Sequence, residues 1–239
     1  MAEAKKTGTL YGVGVGPGDP ELLTRKAVRV LLEAGTLFFP EPRGGSGKVL
    51  AFEIACAACP ELAAKKAVGL YLPMTRDAGE LAKNRLAAAR RMEEALDAGE
   101  DAAFLTLGDP SVYSTYFYLH RIVEGHGYPC KIVPGVTSFC AAAAAAGLSL
   151  ADAEDPIHIL PASYPDARGA LAQPGTKVLM KTGKSFREVK EELAGAAAAD
   201  AVVVENCGMP GERIRPLSAI AEGDEPGYFS VILVKGGAA

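Results

Sequence analysis

A glycine-rich segment near the N-terminus is the first stretch of this sequence whose residue types could do chemistry. Residues 9–21, TLYGVGVGPGDPE, contain four glycines and two prolines and lead directly into the apolar-periodic segment LLTRKAVRVLLEA. A strand that runs into a glycine-rich turn at a helix N-terminus brings backbone N–H groups and the helix dipole to one place. The segment therefore predicts a site for an anion or for an adenosine-bearing cofactor.

Two familiar nucleotide-binding motifs do not fit this segment. A P-loop ends in Gly-Lys-Ser/Thr, whereas this segment has Gly18-Asp19-Pro20, and its carboxylate would repel a phosphate. A Rossmann G-x-G-x-x-G fingerprint would place Pro17 or Asp19 at the third glycine. Two interpretations stay open. The run from Gly14 to Gly18 suits a Rossmann-type methyltransferase with Glu41 as a ribose ligand, and it also suits a plain turn with positive φ.

The pair Cys56 and Cys59 has the C-x-x-C spacing of redox and metal sites. The chain has no second C-x-x-C pair and only three histidines, so we expect no metal and interpret both thiols as small core residues of a helix. Five cysteines at uneven spacings do not suggest a disulfide framework, and a reducing cytoplasm would keep them as thiols.

Charge and hydrophobicity narrow the classes of partner. The 239 residues carry a formal net charge of −4, and a nucleic-acid-binding protein usually has a basic surplus, so we expect no nucleic-acid partner. No apolar run reaches the roughly 18 residues that cross a bilayer, and the opening MAEAKKTG lacks the apolar stretch of a signal peptide. We therefore expect a cytoplasmic protein without a membrane partner.

Two strand-loop-helix units position the candidate residues. In the first, Asp19 is the expected N-cap and Pro20 the first residue of a helix that runs to about Glu33. In the second, the apolar run 102–107 meets Gly108-Asp109-Pro110, after which a helix is predicted with one face formed by Val112, Tyr116, Leu119 and Val123.

The rest of the chain continues the alternation. Thr137 or Ser138 could cap an alanine-lined helix, and residues 185–195 predict a helix with a polar face. Further strands are predicted at residues 131–133, 157–160, 177–180, 201–206 and 228–234. Alternation throughout predicts an α/β fold with largely parallel or mixed sheets, divided into domains at residues 1–135 and 136–239.

Five ordered segments give the sequence a family resemblance. They are YGVGVGPGDPELLTRKAVRVLLEA, LTLGDPSVYSTYFYL, KIVPGVTSF, VLMKTG and VVVENCGMPGERI. In this order and spacing they resemble the signature segments of the tetrapyrrole (corrin and porphyrin) methyltransferases, class III enzymes that use S-adenosylmethionine. The resemblance covers essentially the whole chain. It implies a homodimer of two-domain chains, with the cofactor folded between the domains and a fold distinct from the Rossmann methyltransferases.

The amino-acid sequence of the segments also implies an activity. Within the family they are most similar to enzymes that methylate carbon 20 of precorrin-2, or of its cobalt complex, in cobalamin biosynthesis. Two other activities stay open: methylation at a different ring carbon, and tetrapyrrole binding without catalysis. Methylation of ribosomal RNA on a similar fold is disfavoured by the acidic charge balance.

The resemblance implies a set of cofactor contacts in the family's conserved segments. Gly108 would let backbone approach the ligand, and Met180 would offer a polarizable face to adenine. For Asp109 a helix N-cap is an equally good interpretation. The implied contacts with S-adenosylmethionine are Pro17, Leu107, Gly108, Asp109, Val112, Thr137, Ser138, Met180, Cys207 and Gly208.

The substrate side of the site is expected at the opening loop and at nearby basic residues. The loop residues are Gly16, Gly18 and Asp19, and the cations that could meet the many carboxylates of a tetrapyrrole are Arg43, Lys48 and Arg76. A solvated surface cation is the alternative for each of the three. Related uroporphyrinogen methyltransferases have an aspartate where this chain has Pro40, so no catalytic base is carried over, and Glu41 is a weak candidate.

Overall fold

The protein has two α/β units. The computed structural model describes residues 7–41, 49–161, 169, 171–182, 185–193 and 201–235. The first unit comprises residues 1–137 and the second residues 138–239. Each is built on a five-stranded sheet, and within the described ranges no helix is long and apolar enough to cross a membrane.

Ten strands, six α-helices and three short 3-10 helices make up the described secondary structure. The strands are β1 Leu10–Gly14, β2 Thr36–Glu41, β3 Lys66–Tyr71, β4 Ala102–Thr106, β5 Cys130–Val133, β6 Ile157–Pro161, β7 Thr176–Met180, β8 Ala201–Glu205, β9 Arg213–Pro216 and β10 Ser230–Val234. The helices are α1 Arg25–Glu33, α2 Leu50–Ala58, α3 Ala78–Asp97, α4 Tyr116–Gly125, α5 Ser138–Ala145 and α6 Phe186–Leu193. Of these, β9 has no counterpart among the strands predicted from sequence.

The first sheet is entirely parallel, with strand order β3-β2-β4-β1-β5. Alternate side chains point to opposite faces of a strand, so Val13 and Leu10 belong to different halves of the core. The half that contains Val13 also contains Leu31 of α1. The half that contains Leu10 also contains Leu119 of α4. Therefore α1 and α4 cover opposite faces of this sheet.

The first helix begins later than the sequence predicts. Asp19 caps only the short 3-10 helix Pro20–Leu22, where its Oδ1 accepts a hydrogen bond from the N–H of Glu21 at 2.9 Å. A second capping residue then begins α1: Thr24 Oγ1 accepts from the N–H of Ala27 at 3.1 Å. The predicted single helix from Pro20 is therefore wrong in its start, because two N-cap residues lie five positions apart.

The helix after the second Gly-Asp-Pro sequence is also shorter than predicted. It begins at Tyr116, and Val112 lies in the preceding turn instead of on the helix. Side-chain oxygens of the intervening residues bind nearby backbone: Ser111 N–H donates to Asp109 at 2.7 Å, and Tyr116 N–H donates to Ser114 Oγ at 3.1 Å. Such local hydrogen bonds compete with helix formation.

The C-x-x-C pair lies against the core of the first unit. Cys59 is the C-cap of α2 and is buried in the core cluster that also contains Val13 and Leu31. Cys56 packs against the same cluster. Burial raises the pKa of both thiols above the ordinary value. The Cys59 thiol donates a hydrogen bond to Glu61 at 3.1 Å. These contacts agree with the interpretation of both residues as core components.

The second sheet is mixed, with strand order β6-β7-β10-β8-β9. β6 and β7 are parallel, and the other three pairings are antiparallel. Because β7 and β8 both run antiparallel to β10, their carboxyl ends lie at the same edge of the sheet. Met180 and Glu205 are the last residues of these two strands.

Candidate functional site

The candidate site of the first unit begins where β1 and β4 lie side by side. Their following helices, α1 and α4, pack on opposite faces of the sheet. In open parallel sheets such a reversal leaves a crevice at the carboxyl ends of the two strands, where ligands bind. The loops that follow these strands, residues 15–19 and 107–115, contain half of the residues selected from sequence.

The two loops are joined through backbone hydrogen bonds. Val15 N–H donates to the carbonyl of Thr106 at 3.0 Å, and Gly108 N–H donates to the carbonyl of Gly16 at 2.8 Å. Gly16 and Gly108 also form an isolated antiparallel bridge. The predicted substrate loop and the predicted cofactor loop thus form one connected structure.

Two glycines let three strand ends come into backbone contact. A Cβ atom added to Gly14 would lie 2.5 Å from the carbonyl oxygen of Gly108, and one added to Gly135 would lie 2.1 Å from the same oxygen. Real Cβ atoms do not approach backbone that closely. Any side chain at Gly14 or Gly135 would therefore push apart the loops that follow β1, β4 and β5.

Asp109 connects two of these loops. It is buried; its Oδ1 accepts from both the N–H and the hydroxyl of Ser111, and its Oδ2 accepts from the N–H of Gly135 at 2.9 Å. The alternative of a helix N-cap is wrong, because α4 begins seven residues later, at Tyr116, with Thr115 at its N-cap position. The carboxylate instead fixes the turn at residues 109–112 and holds it to the loop after β5.

Thr137 carries an unsatisfied polar atom. Its Oγ1 is buried and, among the residues that the structure describes, has no hydrogen-bond partner. A buried hydroxyl without a partner is costly, so native proteins usually satisfy it with protein, water or ligand. Thr137 follows β5 at the same edge of the sheet as Asp109, and it therefore fits a site that completes its hydrogen bonds with a bound molecule.

In the second unit, the selected residues follow β7 and β8. Met180 ends β7 and is half-buried, and Cys207 and Gly208 lie directly beyond β8. The backbone N–H of Gly208 donates to Glu212 Oε2 at 2.7 Å, and the N–H of Met209 donates to the carbonyl of Asn206 at 2.9 Å. These bonds close residues 206–212 into a compact loop.

An ion cluster around a buried carboxylate next to this loop was not anticipated from sequence. The Glu205 carboxylate, 2% exposed, is bound by Arg213 at 2.9 Å and by Arg215 at 2.7 Å. Arg215 also pairs with Asp224 and lowers the pKa of that carboxyl. The sequence did contain a signal for this cluster: Arg213 and Arg215 are two positions apart, a spacing that places both side chains on one face of a strand.

Unusual backbone conformations also concentrate in the loops at these sheet edges. Four described non-glycine residues have positive φ, and three of them, Tyr113, Lys181 and Asn206, follow β4, β7 and β8 respectively. Residues held in such sparsely populated conformations often belong to functional sites. The fourth, Ala153, lies elsewhere in the second unit.

The predicted substrate residues lie in different environments. Gly16 and Gly18 are buried in the loop after β1, and Asp19 is half-buried beside them. Arg76 is exposed in the segment that follows β3. Arg43 and Lys48 lie outside the residues that the structure describes. Glu41 ends β2, and its carboxylate packs over Gly69.

A match to a protein-family model shows which known proteins this chain is related to. The model of the tetrapyrrole (corrin/porphyrin) methylases matches residues 9–221. The chain belongs to this family. The Rossmann alternative is wrong, since the β1 strand of this tetrapyrrole methylase lies between β4 and β5, whereas a Rossmann sheet has the order 3-2-1-4-5-6.

Three curated relatives cover nearly all of this tetrapyrrole methylase. The cobalamin biosynthesis protein CobIJ of Mycobacterium tuberculosis is 37% identical over 96% of the chain, but the chain spans only 46% of its length. The precorrin-2 C(20)-methyltransferase of Sinorhizobium sp is 34% identical over 96% of both chains. The cobalt-precorrin-2 C(20)-methyltransferase of Salmonella typhimurium is 35% identical over 95% of this chain and 96% of its own.

Solved structures share the fold. The cobalt precorrin-4 methyltransferase CbiF has a TM-score of 0.75 with 22% identity, covering 95% of this chain and 94% of its own. A uroporphyrin-III C-methyltransferase from Thermus thermophilus, in complex with S-adenosylhomocysteine, has a TM-score of 0.69 with 27% identity, covering 95% and 97%. The predicted tetrapyrrole methylase fold is confirmed.

Proposed function

We propose that this protein transfers a methyl group from S-adenosylmethionine to carbon 20 of precorrin-2 or cobalt-precorrin-2, giving precorrin-3 or its cobalt complex in cobalamin biosynthesis. The observation that carries the proposal is the end-to-end similarity to two enzymes named for methylation at carbon 20. CobIJ also belongs to cobalamin biosynthesis, although this chain spans about half of its length. The near-equal identities of 34% and 35% favour neither the metal-free nor the cobalt-bound substrate.

The reaction makes modest chemical demands on the protein. S-adenosylmethionine supplies an electrophilic methyl group on a sulfonium. The ring carbon is itself nucleophilic, so a carbon–carbon bond forms as the carbon–sulfur bond breaks, and the displaced proton passes to water or a weak base. The protein has to align the two reactants and exclude water. No residue is assigned as a catalytic base.

The cofactor is proposed to bind at the edges of the two sheets where the selected residues lie. Two features support this: the unsatisfied Thr137 hydroxyl and the close backbone packing around Gly108. Asp109 contributes by holding the loop, since both of its carboxylate oxygens already accept hydrogen bonds from protein. The proposed contacts remain Pro17, Leu107, Gly108, Asp109, Val112, Thr137, Ser138, Met180, Cys207 and Gly208.

The tetrapyrrole is proposed to meet the first unit, at the loop of Gly16, Gly18 and Asp19 and at Arg76. Its carboxylates suit the exposed guanidinium of Arg76. Residues 1–135 would thus supply the substrate side, and residues 136–239 would complete the cofactor site. We also propose a homodimer in the cytoplasm.

The test supplies purified protein with methyl-labelled S-adenosylmethionine and, in parallel, metal-free precorrin-2 and cobalt-precorrin-2 under anaerobic conditions. Product mass and the position of the label are followed. One methyl gained at carbon 20 is expected, and the faster substrate identifies the form that the protein uses. A methyl at another ring carbon would contradict the assignment within the family. Binding of tetrapyrrole without any transfer would indicate a non-catalytic protein.

A further inference from the structure

Glu205 is a buried carboxylate at a position where β8 would otherwise continue an apolar face. Side chains alternate along a strand, and Ala201 and Val203, which point to the same side as Glu205, belong to the core of the second unit. Glu205 itself is 2% exposed. Burying a carboxylate is costly unless charged partners and hydrogen bonds compensate for the lost water.

The compensating partners are two guanidinium groups of the neighbouring strand. Arg213 Nη2 donates to Glu205 Oε1 at 2.9 Å, and Arg215 Nη2 donates to Glu205 Oε2 at 2.7 Å. Both arginines also pair with Asp224, which lies between β9 and β10. Two carboxylates thus meet two guanidinium groups, and the cluster joins β8, β9 and the segment that leads to β10.

The same carboxylate fixes the base of the loop at residues 206–212. Glu205 and Arg213 flank this loop and are register partners across β8 and β9, so their ion pair connects its two ends. Inside the loop, Asn206 and Gly208 have positive φ values of 50° and 72°. For a residue such as Asn206, that conformation persists only where the surrounding structure determines it. Glu205 is the residue directly before it.

Stability alone does not account for such a cluster. Replacing a buried ion pair by apolar residues of similar volume is often neutral or stabilising, so the charges are weak evidence for a stabilising role. Charge-assisted hydrogen bonds do supply direction, since each oxygen of Glu205 is bound by a different arginine. The cluster is therefore suited to setting the geometry of the two strand ends.

We propose that Glu205 is a positioning residue for the cofactor: through Arg213 and Arg215 it holds the loop in the conformation in which Cys207 and Gly208 meet S-adenosylmethionine. A loop that is ordered beforehand binds more tightly, because the cost of ordering it is not paid on binding. The inference rests on the proposed function, which assigns Cys207 and Gly208 to the cofactor, and it adds a residue that acts through the protein.

The experiment compares the full-length protein with four variants. Glu205→Gln removes the charge and keeps the shape. The double variant Glu205→Leu/Arg215→Met replaces the buried pair by apolar side chains and should regain stability relative to Glu205→Gln. Asp224→Asn is a milder variant, since Asp224 is half-exposed. Leu193→Ala is the control, because it opens a cavity in the core of the same unit and leaves the cluster intact.

Four quantities are measured: the Kd for S-adenosylhomocysteine by calorimetry, the steady-state constants, the stability in urea, and the exchange rate of the Gly208 amide hydrogen. In Glu205→Gln the Kd and the KM for S-adenosylmethionine should rise about tenfold with kcat little changed, and Gly208 should exchange faster. The Kd should stay raised in the apolar double variant and rise about threefold in Asp224→Asn. Leu193→Ala should lose stability but keep the parent Kd.

Several results would overturn the inference. One is an unchanged Kd for S-adenosylhomocysteine, or an unchanged Gly208 exchange rate, in Glu205→Gln. Another is a Kd that rises equally in Leu193→Ala, or that recovers together with stability in the apolar double variant, because binding would then follow stability alone. If Glu205→Gln does not fold, Asp224→Asn decides, and an unchanged Kd there overturns the inference.

The outcomes also separate this inference from the proposed function. If the parent protein methylates carbon 20 while the Kd is unchanged in Glu205→Gln, only the role of Glu205 fails. If the parent protein binds S-adenosylhomocysteine but transfers no methyl group, the proposed function fails, and the Kd values still decide the role of Glu205. A parent protein that binds no S-adenosylhomocysteine overturns both.

Discussion

The Oδ2 atom of Asp109 accepts a hydrogen bond from the backbone N–H of Gly135 at 2.9 Å, so a single carboxylate joins the loops that follow β4 and β5. Its other oxygen accepts from Ser111. Asp109→Ala removes these bonds and leaves the Gly135 N–H without its acceptor, so we expect the free energy of unfolding to fall by about 2 kcal/mol. Binding of S-adenosylhomocysteine should weaken in parallel. Urea unfolding and calorimetry measure the two effects.

Asp109→Asn tests whether both oxygens are needed. An asparagine can accept from Ser111 or from Gly135, but its amide nitrogen then faces a second N–H donor. We therefore expect the asparagine to recover only part of the lost stability. Ser111→Ala, which removes one hydroxyl donor and leaves the Gly135 bond intact, should have the smallest effect. If Asp109→Ala unfolds at the same urea concentration as the parent protein, the carboxylate does not hold the loops together.

Gly12 makes room for the ring of Tyr116. A Cβ atom at this position would lie 2.0 Å from Tyr116 Cε1, in the middle of the buried sheet. Gly12→Ala is therefore expected to lower the free energy of unfolding by about 1–3 kcal/mol, the usual cost of overpacking a core. Gly125→Ala is the matched control, since an added Cβ atom there meets nothing within 4 Å.

A double-mutant cycle tests whether the stability lost in Gly12→Ala comes from the contact with the Tyr116 ring. Tyr116→Ala is destabilising by itself, but it removes the ring that would collide with the new methyl group. In the Tyr116→Ala background, Gly12→Ala should cost at least about 1 kcal/mol less than in the parent protein. Equal costs in both backgrounds would mean that the methyl group clashes with something other than this ring.

The sequence predicted the strands of the site better than its loops. Apolar runs such as residues 102–107 identified β4 nearly to the residue, because a buried strand needs a continuous apolar segment. The predicted helix starts at Asp19 and after Pro110 were wrong. Several polar residues precede each helix, and which of them caps it depends on the backbone N–H that each side chain reaches. β9 was missed because its exposed residues, such as Arg213, pair with Glu205 instead of forming an apolar pattern.

The role of individual site residues depended on contacts that sequence does not contain. The glycines of the opening segment looked alike, yet Gly12 accommodates a ring, Gly14 packs against backbone and Gly16 adopts a φ of 76°. For Asp109 the two sequence interpretations were a ligand contact and a helix cap. The structure excludes the helix cap and shows a link between loops whose other end, Gly135, is 26 residues away in the chain.

Alkaline conditions should destabilise the protein in part through Cys130. Burial, with a smaller effect of the nearby Glu124 carboxylate, raises the pKa of this thiol from the ordinary 9.0 to about 11. A thiol with a raised pKa in the folded state contributes its full stability below the unfolded pKa. That contribution is lost as the pH rises from about 9 towards 11, because the unfolded chain releases the proton first.

In Cys130→Ala, the free energy of unfolding should therefore decrease less between these two pH values than it does in the parent protein. Other buried groups with raised pKa, among them Tyr116 and Cys59, remain in both proteins, so the informative quantity is the difference between variant and parent. The free energy of unfolding is measured in urea at several pH values with a reductant present. Cys140→Ala, which removes an exposed thiol from α5, is the control. Parallel pH profiles for Cys130→Ala and the parent would contradict the prediction.

Lys66 begins β3 and Arg76 follows its other end, so together they test which edge of the first sheet meets a carboxylate-rich substrate. Both are exposed cations, but only Arg76 follows the carboxyl end of the strand, the edge that carries the Gly16 and Asp109 loops. Arg76→Ala should raise the tetrapyrrole KM roughly fivefold by removing a charge-assisted hydrogen bond, and the difference should shrink in high salt. Lys66→Ala should leave the KM unchanged. Equal effects of the two substitutions would instead indicate a general attraction between the substrate and the protein's positive charges.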